Sequence, residues 1–539
     1  MTISWYNYFR GLTLHPRRYW GSGIAIVILS LFSLICPVSG QLRLELAQGQ
    51  QMDLMLETGG NFSLKRVKLE GKIVSQAEVE RLAADYLGRE VSLSDLLLLQ
   101  ERLSNYYVEK GYFLSRVRLN RQKTDLSLGI AVFEEISRDV ELRIKAEGLR
   151  DSYIQGKIGQ FLNKPLSQRD ITNILYTLQQ DSLVETFKVN IEGEDPAILL
   201  ITVKARKAWQ LEIEGSNDEN PDIGEAGVRF FLGHRNVARG GENLFGEYKI
   251  TDGLERWQVG AVIPVTPKNG RLQLVYQQSN SNVVSGFLDP YSVRNESYVI
   301  SAGFIQPILF LPQHKFELGL SGDRKESQSF VLDDRQFSDV EANSIRFSQN
   351  YSYSSPLDGL IALSQFSVGL TNTERERNYF HWNGQVQWER DLKLLKLYVR
   401  GAAQFTSDSL PGFERCAIGG RNGNQFIFGN SIRGVTTNGN SGDNCLAFTG
   451  ELRFPILKGD DIKLQVFPFF DFGYVWDNQE QTLNPQAIPS LGAGFRFDWR
   501  GLILVQGNYG YAFGDFNANG LDGLRRQELS GSILFNLKF

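Results

Sequence analysis

Side chains that could bind a metal or act as nucleophiles are few in this sequence of 539 residues, which contains three cysteines and four histidines. The histidines are His15, His234, His314 and His381, and no CxxC, HExxH or His-x-His spacing occurs. Zinc binding and histidine-based catalysis usually need several such residues close together. The sequence therefore predicts no metal site, no cofactor and no catalytic centre, and we expect a protein that is not an enzyme.

Composition excludes two further classes of protein. The 57 basic and 61 acidic side chains give a net charge of −4, so no basic field favours nucleic acid as a partner. Hydrophobic residues make up 42% and charged residues 22%, which is too apolar for a disordered chain. The 53 glycines, 35 phenylalanines and 20 tyrosines favour β-structure.

The first forty residues have the order of a secretory signal peptide. Arg10, Arg17 and Arg18 precede an uncharged apolar run at residues 24–35, and small residues follow up to Gly40. The alternative is a membrane-spanning helix, but the run is shorter than the roughly 20 apolar residues that such a helix needs. We therefore assign residues 1–40 to a signal peptide and 41–61 to a linker or short helix.

Residues 62–206 contain the same pattern of elements twice. In residues 62–135, an alternating strand is followed by a helix with a capping box at Ser75 and Glu78 and a second helix that begins at Ser92. Two strands follow, around residues 112–121 and 126–133. Residues 136–206 repeat this β-α-α-β-β order, and a repeat of this size indicates two modules of one kind. The sheet edges of such modules could accept an extended peptide. Two ordinary globular domains remain the alternative.

Residues 207–539 lose helical periodicity and alternate apolar with polar residues. In the last segment, one parity holds Leu529, Gly531, Ile533, Phe535, Leu537 and Phe539, whereas the other holds Glu528, Ser530, Ser532, Asn536 and Lys538. Alternation alone fits a soluble β-sandwich as well as a membrane barrel. About sixteen such segments, joined by short polar turns, favour a closed barrel. The predicted fold class is two α+β modules followed by a 16-stranded antiparallel transmembrane β-barrel.

Three stretches of the barrel region carry a resemblance to a known family. The loop at residues 407–443 contains Ile418, Gly419 and Gly420 and then Ile432, Arg433 and Gly434, and it resembles a long sixth extracellular loop with a Val-Arg-Gly-aromatic tip. Phe469, Asp471 and Gly473 resemble a Phe-x-Asp-x-Gly barrel strand, and residues 451–455 resemble the strand that leaves the loop. Together with the modules, these motifs resemble the outer-membrane transporters of two-partner secretion, related to the haemolysin and filamentous-haemagglutinin secretion proteins, whose periplasmic modules are called POTRA domains.

The resemblance implies a location and a set of partners. It places the barrel in the outer membrane, in contact with lipid, and the POTRA domains in the periplasm. There they would bind a secreted partner exoprotein and pass it into the barrel, and we expect the transporter to act as a monomer. A factor that assembles other barrels in the outer membrane shares these motifs and is the alternative. A barrel enzyme, a protease or a lipase, is a more distant one.

The resemblance also implies that Arg433 and Asp471 form an ion pair inside the barrel. Alternation over residues 466–476 puts Phe469, Asp471 and Gly473 on one face, which would point Asp471 into the lumen. A pair shielded from bulk water would hold the loop more firmly than an exposed pair. The alternative is a solvated Arg433, and Val435 departs from the family motif because an aromatic residue is usual there.

Cys416 and Cys445 lie on either side of most of this loop, and in an oxidising compartment they could form a disulfide. Two free thiols are the alternative. Residues 515–520 imitate the first half of a calcium loop, but Arg526 stands where such a loop needs a glutamate, so we interpret the segment as a turn.

Overall fold

The computed structural model describes residues 61–125, 127–193, 196–266, 268–311, 313–332, 335–372, 377–420, 432–437, 440–478, 486–513 and 527–539. The predicted signal peptide, nearly all of the linker, residues 421–431 of the sixth loop and the calcium-like turn lie outside the described residues.

The first module packs two helices against a three-stranded sheet. Its sheet has the order β2-β5-β4, with β5 parallel to β2 and antiparallel to β4. Ser75 and Ser92 each form a capping box, which satisfies otherwise unpaired N–H groups at the helix starts. The elements are β1 (Phe62–Ser63), β2 (Arg66–Glu70), α1 (Gln76–Ala83), β3 (Glu90–Val91), α2 (Leu93–Glu109), β4 (Ser115–Leu119) and β5 (Ile130–Ser137).

The second module has the same design. Its sheet has the order β6-β8-β7, with β6 parallel and β7 antiparallel to the central β8. Its apolar core includes Ile154, Ile174 and Leu199, which are fully buried. The elements are β6 (Val140–Glu147), α3 (Asp151–Ile158), a 3₁₀ turn (Gly159–Phe161), α4 (Gln168–Gln180), β7 (Val184–Glu192) and β8 (Ala197–Ala205).

Two strands of the first module differ from the sequence-based prediction, which placed them at residues 112–121 and 126–133. The first is shortened because Ser115 N–H donates to the carbonyl of Tyr112 in a turn. The second begins later, at Ile130, because Asp125 accepts hydrogen bonds from the backbone of Ser127 and Leu128. Side chains of Asp that bond to nearby backbone stabilise turns in competition with strand pairing.

Residues 209–538 form a closed barrel of sixteen strands, as predicted. Closure is made by β9, which pairs with β10 on one side and with the last strand, β26, on the other. The barrel strands are β9 (Trp209–Ser216), β10 (Gly227–His234), β11 (Asn243–Thr251), β12 (Leu254–Pro264), β13 (Arg271–Asn282), β14 (Arg294–Phe310), β15 (His314–Val331), β16 (Arg335–Ser354), β17 (Asp358–Asn372), β18 (Arg377–Asp391), β19 (Lys396–Phe405), β22 (Asn444–Lys458), β23 (Ile462–Trp476), β24 (Gln486–Trp499), β25 (Ile503–Ala512) and β26 (Gln527–Lys538). A further hairpin, β20 (Cys416–Ile418) with β21 (Asn440–Gly442), lies between β19 and β22.

The two faces of the barrel wall have opposite polarity. On β26 the outward residues Leu529 and Ile533 are 70% and 47% exposed, whereas Ser530 and Ser532 face inward and are 2% and 5% exposed. Closure leaves no unpaired strand edge, which hydrocarbon would penalise. Among the described residues, no helix has the length and apolarity to cross a membrane. The outward apolar face is the surface suited to lipid.

The second module contacts the turn between β10 and β11, which defines the near end of the barrel. Arg150 N–H donates to the carbonyl of Arg239 over 2.8 Å, and the Asn236 side chain donates to the carbonyl of Gly148 over 2.7 Å. Because neighbouring barrel strands are antiparallel, successive turns alternate between the two ends, and the sixth loop, between β19 and β22, starts and ends at the opposite, far end of the barrel.

Within the second module, Lys157 lies 2.5 Å from Asp181. Burial alone would lower the pKa of Lys157, but Asp181 and Tyr153 raise it above its usual value.

A pair of substitutions on β18 tests which face meets lipid. Val386 is outward and 50% exposed, while Gln385 precedes it on the lumenal parity. We expect Val386→Arg to destabilise the barrel by about 2–4 kcal/mol, because it puts a cation into hydrocarbon, and Gln385→Arg to have little effect. Urea titration of the lipid-reconstituted protein, followed by tryptophan fluorescence, measures the difference. Equal losses from the two variants would contradict this assignment of faces.

Candidate functional site

The sixth loop folds back from the far end into the barrel lumen. Its two limbs pair as the short hairpin β20–β21, and Gly420 N–H donates to the carbonyl of Val435 over 2.8 Å. The structure joins Cys416 to Cys445 of β22 as a disulfide, across a sequence separation of 29 residues. Such a crosslink contributes about 3–4 kcal/mol in the chain-entropy account. The disulfide therefore closes the chain between Cys416 and Cys445 into a covalent ring, which is attached to the wall through Cys445.

Arg433, at the inner end of the loop, contacts Asp471 of β23. Its Nε and Nη2 donate to the two carboxylate oxygens over 2.8 Å each, and its backbone N–H donates to Asp471 over 3.0 Å. Arg433 is 5% exposed and Asp471 is fully buried. A bidentate contact of this kind fixes the orientation of the Arg433 side chain as well as its distance, because the planar guanidinium matches the geometry of a carboxylate.

A second carboxylate completes the surroundings of Arg433. Nη1 donates to Glu451 of β22 over 2.6 Å, and the other oxygen of Glu451 accepts from Arg453 over 2.7 Å. Arg453 in turn donates to Glu389 of β18 over 2.6 Å. Alternating charges thus continue from the loop across three wall strands, so neither the loop arginine nor its acceptors are buried without compensation.

The guanidinium of Arg433 also lies over an aromatic ring. Its central carbon is 3.5 Å from the ring centroid of Phe469, which shares the inward face of β23 with Asp471. Cations are attracted to the faces of aromatic rings, and the attraction strengthens when water is excluded. Phe469 therefore contacts the planar face of the guanidinium, while the carboxylates of Asp471 and Glu451 bind the N–H groups at its edge.

Two close approaches explain the glycines of the motifs. Gly434 has a φ of +89°, and a Cβ there would lie 2.6 Å from the backbone of Gly510 on β25. A Cβ on Gly473 would lie 2.8 Å from Ile418 and 2.9 Å from Ile432. These positions let the loop backbone lie directly against the wall. Gly419 and Gly420 also have positive φ values, of 122° and 74°, where the chain turns after β20.

Apolar side chains of the loop and of the wall form a small core inside the barrel. Ile418, Ile432 and Val435 are fully buried against Val475 and Ile488 of the wall. Val435, which stands where the family motif has an aromatic residue, fills this core. The loop is therefore held by packing as well as by charge.

The sequence interpretation placed Arg433 and Asp471 but missed Glu451, Arg453 and Glu389 as their neighbours. Glu451 and Arg453 share the lumenal parity of β22, and two adjacent charges on that parity were the available signal. Glu389 is 64 residues from Arg453, and the register between β18, β19 and β22 is what brings the two together. That register follows from barrel geometry and is not visible in a local motif.

The edges of the two modules differ in how they are covered. In the first module, α2 covers β4: the Ser104 hydroxyl accepts from Val117 N–H over 3.1 Å, and Gln100 accepts from Leu119 N–H over 2.8 Å. Gln76 of α1 donates to the carbonyl of Val67 on β2 over 2.7 Å. In the second module, β7 pairs with β8, and among the described residues no other strand pairs with it. The outer edge of β7 is therefore the more open one.

Comparison with family models gives two matches along the chain. Residues 62–134 match the POTRA domain, ShlB-type, and residues 263–497 match the haemolysin secretion/activation protein ShlB/FhaC/HecB family. No curated protein matches the chain by sequence.

Solved structures share the fold at low identity. CdiB from Escherichia coli is 14% identical with a TM-score of 0.67, covering 95% of this chain and 98% of its own. CdiB from Acinetobacter baumannii is 16% identical with a TM-score of 0.61, covering 95% and 97%. BamA from Haemophilus ducreyi lacking POTRA domains 1–3 is 13% identical with a TM-score of 0.52, covering 89% and 100%.

The contact between Gly434 and Gly510 predicts that a single methyl group displaces the loop. Gly434→Ala would place a Cβ against backbone at a positive φ, so we expect the loop to move away from β25. Limited trypsin digestion of the folded protein should then cleave within residues 407–443 faster than in the wild type.

The control is Gly401→Ala on β19, where a Cβ would meet no atom within 4 Å. We expect its digestion pattern to match that of the wild type. If Gly434→Ala also left the loop fully protected, the close approach would not be what keeps it in place.

Proposed function

This chain belongs to the haemolysin secretion/activation (ShlB/FhaC/HecB) family and is an outer-membrane transporter of two-partner secretion with periplasmic POTRA domains, and we propose how its parts carry the exported protein. The second POTRA domain captures the secreted partner, and the barrel conducts it. The sixth loop closes the lumen until transport begins.

The observation that carries this proposal is the buried attachment of the loop through Arg433. A loop in the lumen obstructs a conduit, so transport requires the loop to shift or to leave. Asp471 and Glu451 hold Arg433 by hydrogen-bonded ion pairs at 2.6–2.8 Å. Such contacts have discrete made and broken states, which is what a gate requires.

Capture by the second POTRA domain is supported by the difference between the module edges. An extended client could add as a strand to the outer edge of β7, since main-chain hydrogen bonds do not depend on client sequence. Helix side chains already bond to the outer strands of the first domain. Transport would draw on folding of the client outside the cell, and the transporter would act as a monomer.

Photo-crosslinking in cells tests the capture step. A crosslinking amino acid at Lys188 of β7, which is exposed, should trap one large secreted protein. The matched site is Arg118, exposed on the covered strand β4, where we expect much weaker trapping. Trapping of many nascent barrel proteins at Lys188 would instead indicate barrel assembly, and equal trapping at the two sites would contradict the choice of edge.

Substitution of Arg433 tests the role of the loop. We expect Arg433→Ala to abolish export of the partner, because the loop loses the contact that positions it in the lumen. Barrel insertion should stay nearly intact, because the wall strands keep their backbone pairing. Export is measured as secreted protein in the medium, and insertion as heat-modifiable mobility of the barrel on gels. Arg433→Lys keeps the charge without the two-pronged contact and should export at an intermediate level.

The matched control is Arg271→Ala. Arg271 of β13 is also buried in the lumen and donates to Glu317 over 2.7 Å, but both residues belong to the wall. Export should persist in this variant. Unimpaired export by Arg433→Ala would remove the role assigned to the loop.

A further inference from the structure

Besides Arg433, the sixth loop places the charged side chain of Glu414 against the wall, near the start of the loop. Glu414 lies two residues before Cys416 and is 1% exposed. One carboxylate oxygen accepts from Lys325 of β15 and from Arg346 of β16, over 2.6 Å each. The other oxygen lies 3.2 Å from Nε2 of His381 on β18. One loop carboxylate thus contacts three strands of the wall.

The wall residues around Glu414 are themselves held in place. Arg346 donates through Nε to Asp323 over 2.5 Å and through Nη1 to Ser367 over 2.9 Å. The hydroxyl of Tyr379 lies 2.8 Å from that of Ser344 and 3.3 Å from Glu414. These contacts to neighbouring wall residues orient Arg346 and Tyr379 towards the carboxylate of Glu414.

The backbone at Glu414 is also fixed. Gln404 of β19 donates through one amide nitrogen to the carbonyl of Glu414 over 3.0 Å and to that of Asp443 over 2.9 Å. Phe413 places its ring 5.5 Å from the ammonium of Lys325. The first limb of the loop is therefore tied to the return limb and to the wall at the same point.

Glu414 and Arg433 contact different parts of the barrel wall. The loop connects β19 to β22. Glu414 contacts strands that precede β19 in the barrel, namely β15, β16 and β18, whereas Arg433 contacts strands that follow β19, namely β22 and β23. We propose that Glu414 is a second positioning residue of the gate, which holds the loop in the closed state by pairing with Lys325 and Arg346. This inference rests on the proposed function of the loop as a gate.

The consequence is that opening requires the contact of Glu414 to break as well as that of Arg433. Withdrawal of Glu414 leaves Lys325 and Arg346 facing the lumen with one carboxylate, Asp323, beside them. Withdrawal of Arg433 leaves Asp471 and Glu451 without their loop cation. When either anchor leaves, it exposes wall charges of the sign opposite to its own, which attract it back. A loop released at one anchor is still held at the other.

Conductance of the purified full-length protein in planar lipid bilayers tests this inference without any client. We expect Glu414→Gln, which keeps the shape of the side chain but not its charge, to raise the ratio of open to closed time by roughly 100-fold. Lys325→Met should raise it as well. The double variant should open less than the product of the two single effects, because both substitutions remove the same pair. Glu414→Asp, which keeps the carboxylate, should fall between Glu414→Gln and the wild type.

The matched control is Glu317→Gln. Glu317 lies on β15 like Lys325, is 4% exposed and pairs with Arg271 of the wall, so it should leave conductance unchanged. Heat-modifiable mobility on gels checks that each barrel is folded, and if Glu414→Gln does not fold, Lys325→Met carries the test from the wall side. Wild-type conductance of a folded Glu414→Gln, additive effects in the double variant, or equal opening by Glu317→Gln would each overturn the proposal.

The outcome is separable from that of the proposed function. Conductance reports the position of the loop, whereas secreted protein in the medium reports export. If Glu414→Gln opened the pore while the wild-type chain exported no partner, the second anchor would stand and secretion would be contradicted. The reverse result would leave secretion standing and remove the anchor.

Discussion

The constraint on which this structure depends is that backbone polar groups crossing hydrocarbon must all be paired within the protein. A strand satisfies its groups only through its neighbours, so a chain that crosses as strands has to close on itself. Here β9 meets β26 over the register Ser216↔Ser532 to Gln210↔Lys538, and the sheet has no free edge across the membrane. Closure in turn creates an inside, and the strict alternation of each strand fills it with polar side chains.

An enclosed polar interior changes what ion pairs can do. On an exposed surface, charged pairs contribute little, because water competes for both partners. In the lumen, Arg433, Asp471 and Glu451 are each no more than 5% exposed, and breaking their contacts would leave charges without partners. The same enclosure that membrane insertion imposes on the barrel therefore makes the contacts of a lumenal loop costly to break. The disulfide limits how far Cys416 and the neighbouring loop residues can move from β22, since Cys445 belongs to the wall itself.

The sequence predicts the fold well because its signals are local. The alternation from Leu529 to Phe539 assigns both faces of β26, and Ser75, Glu78 and Ser92 define helix starts within four residues of chain. The inward direction of Asp471 follows from the same alternation. By contrast, Glu414 gives no local signal: its partners Lys325 and Arg346 are 89 and 68 residues away, and they meet it only through the registers of β15 with β16 and of β16 with β17. A loop residue has no parity from which its direction could be inferred, so both the burial and the partners of Glu414 required the structure.

The opposite signs of the two loop charges specify how the loop can sit in the lumen. Were both anchors cations and both wall sites anionic, the loop could settle with either limb against either wall, and the lumen would hold a mixture of arrangements. With an anion at Glu414 and a cation at Arg433, a reversed loop would bring Arg433 to Lys325 and Arg346, and Glu414 to Asp471 and Glu451. Like charges forced together in a shielded site cost several times more than exposed ones, since water cannot screen them. The lumenal position of the loop is therefore selected by repulsion in the wrong arrangement as much as by attraction in the right one.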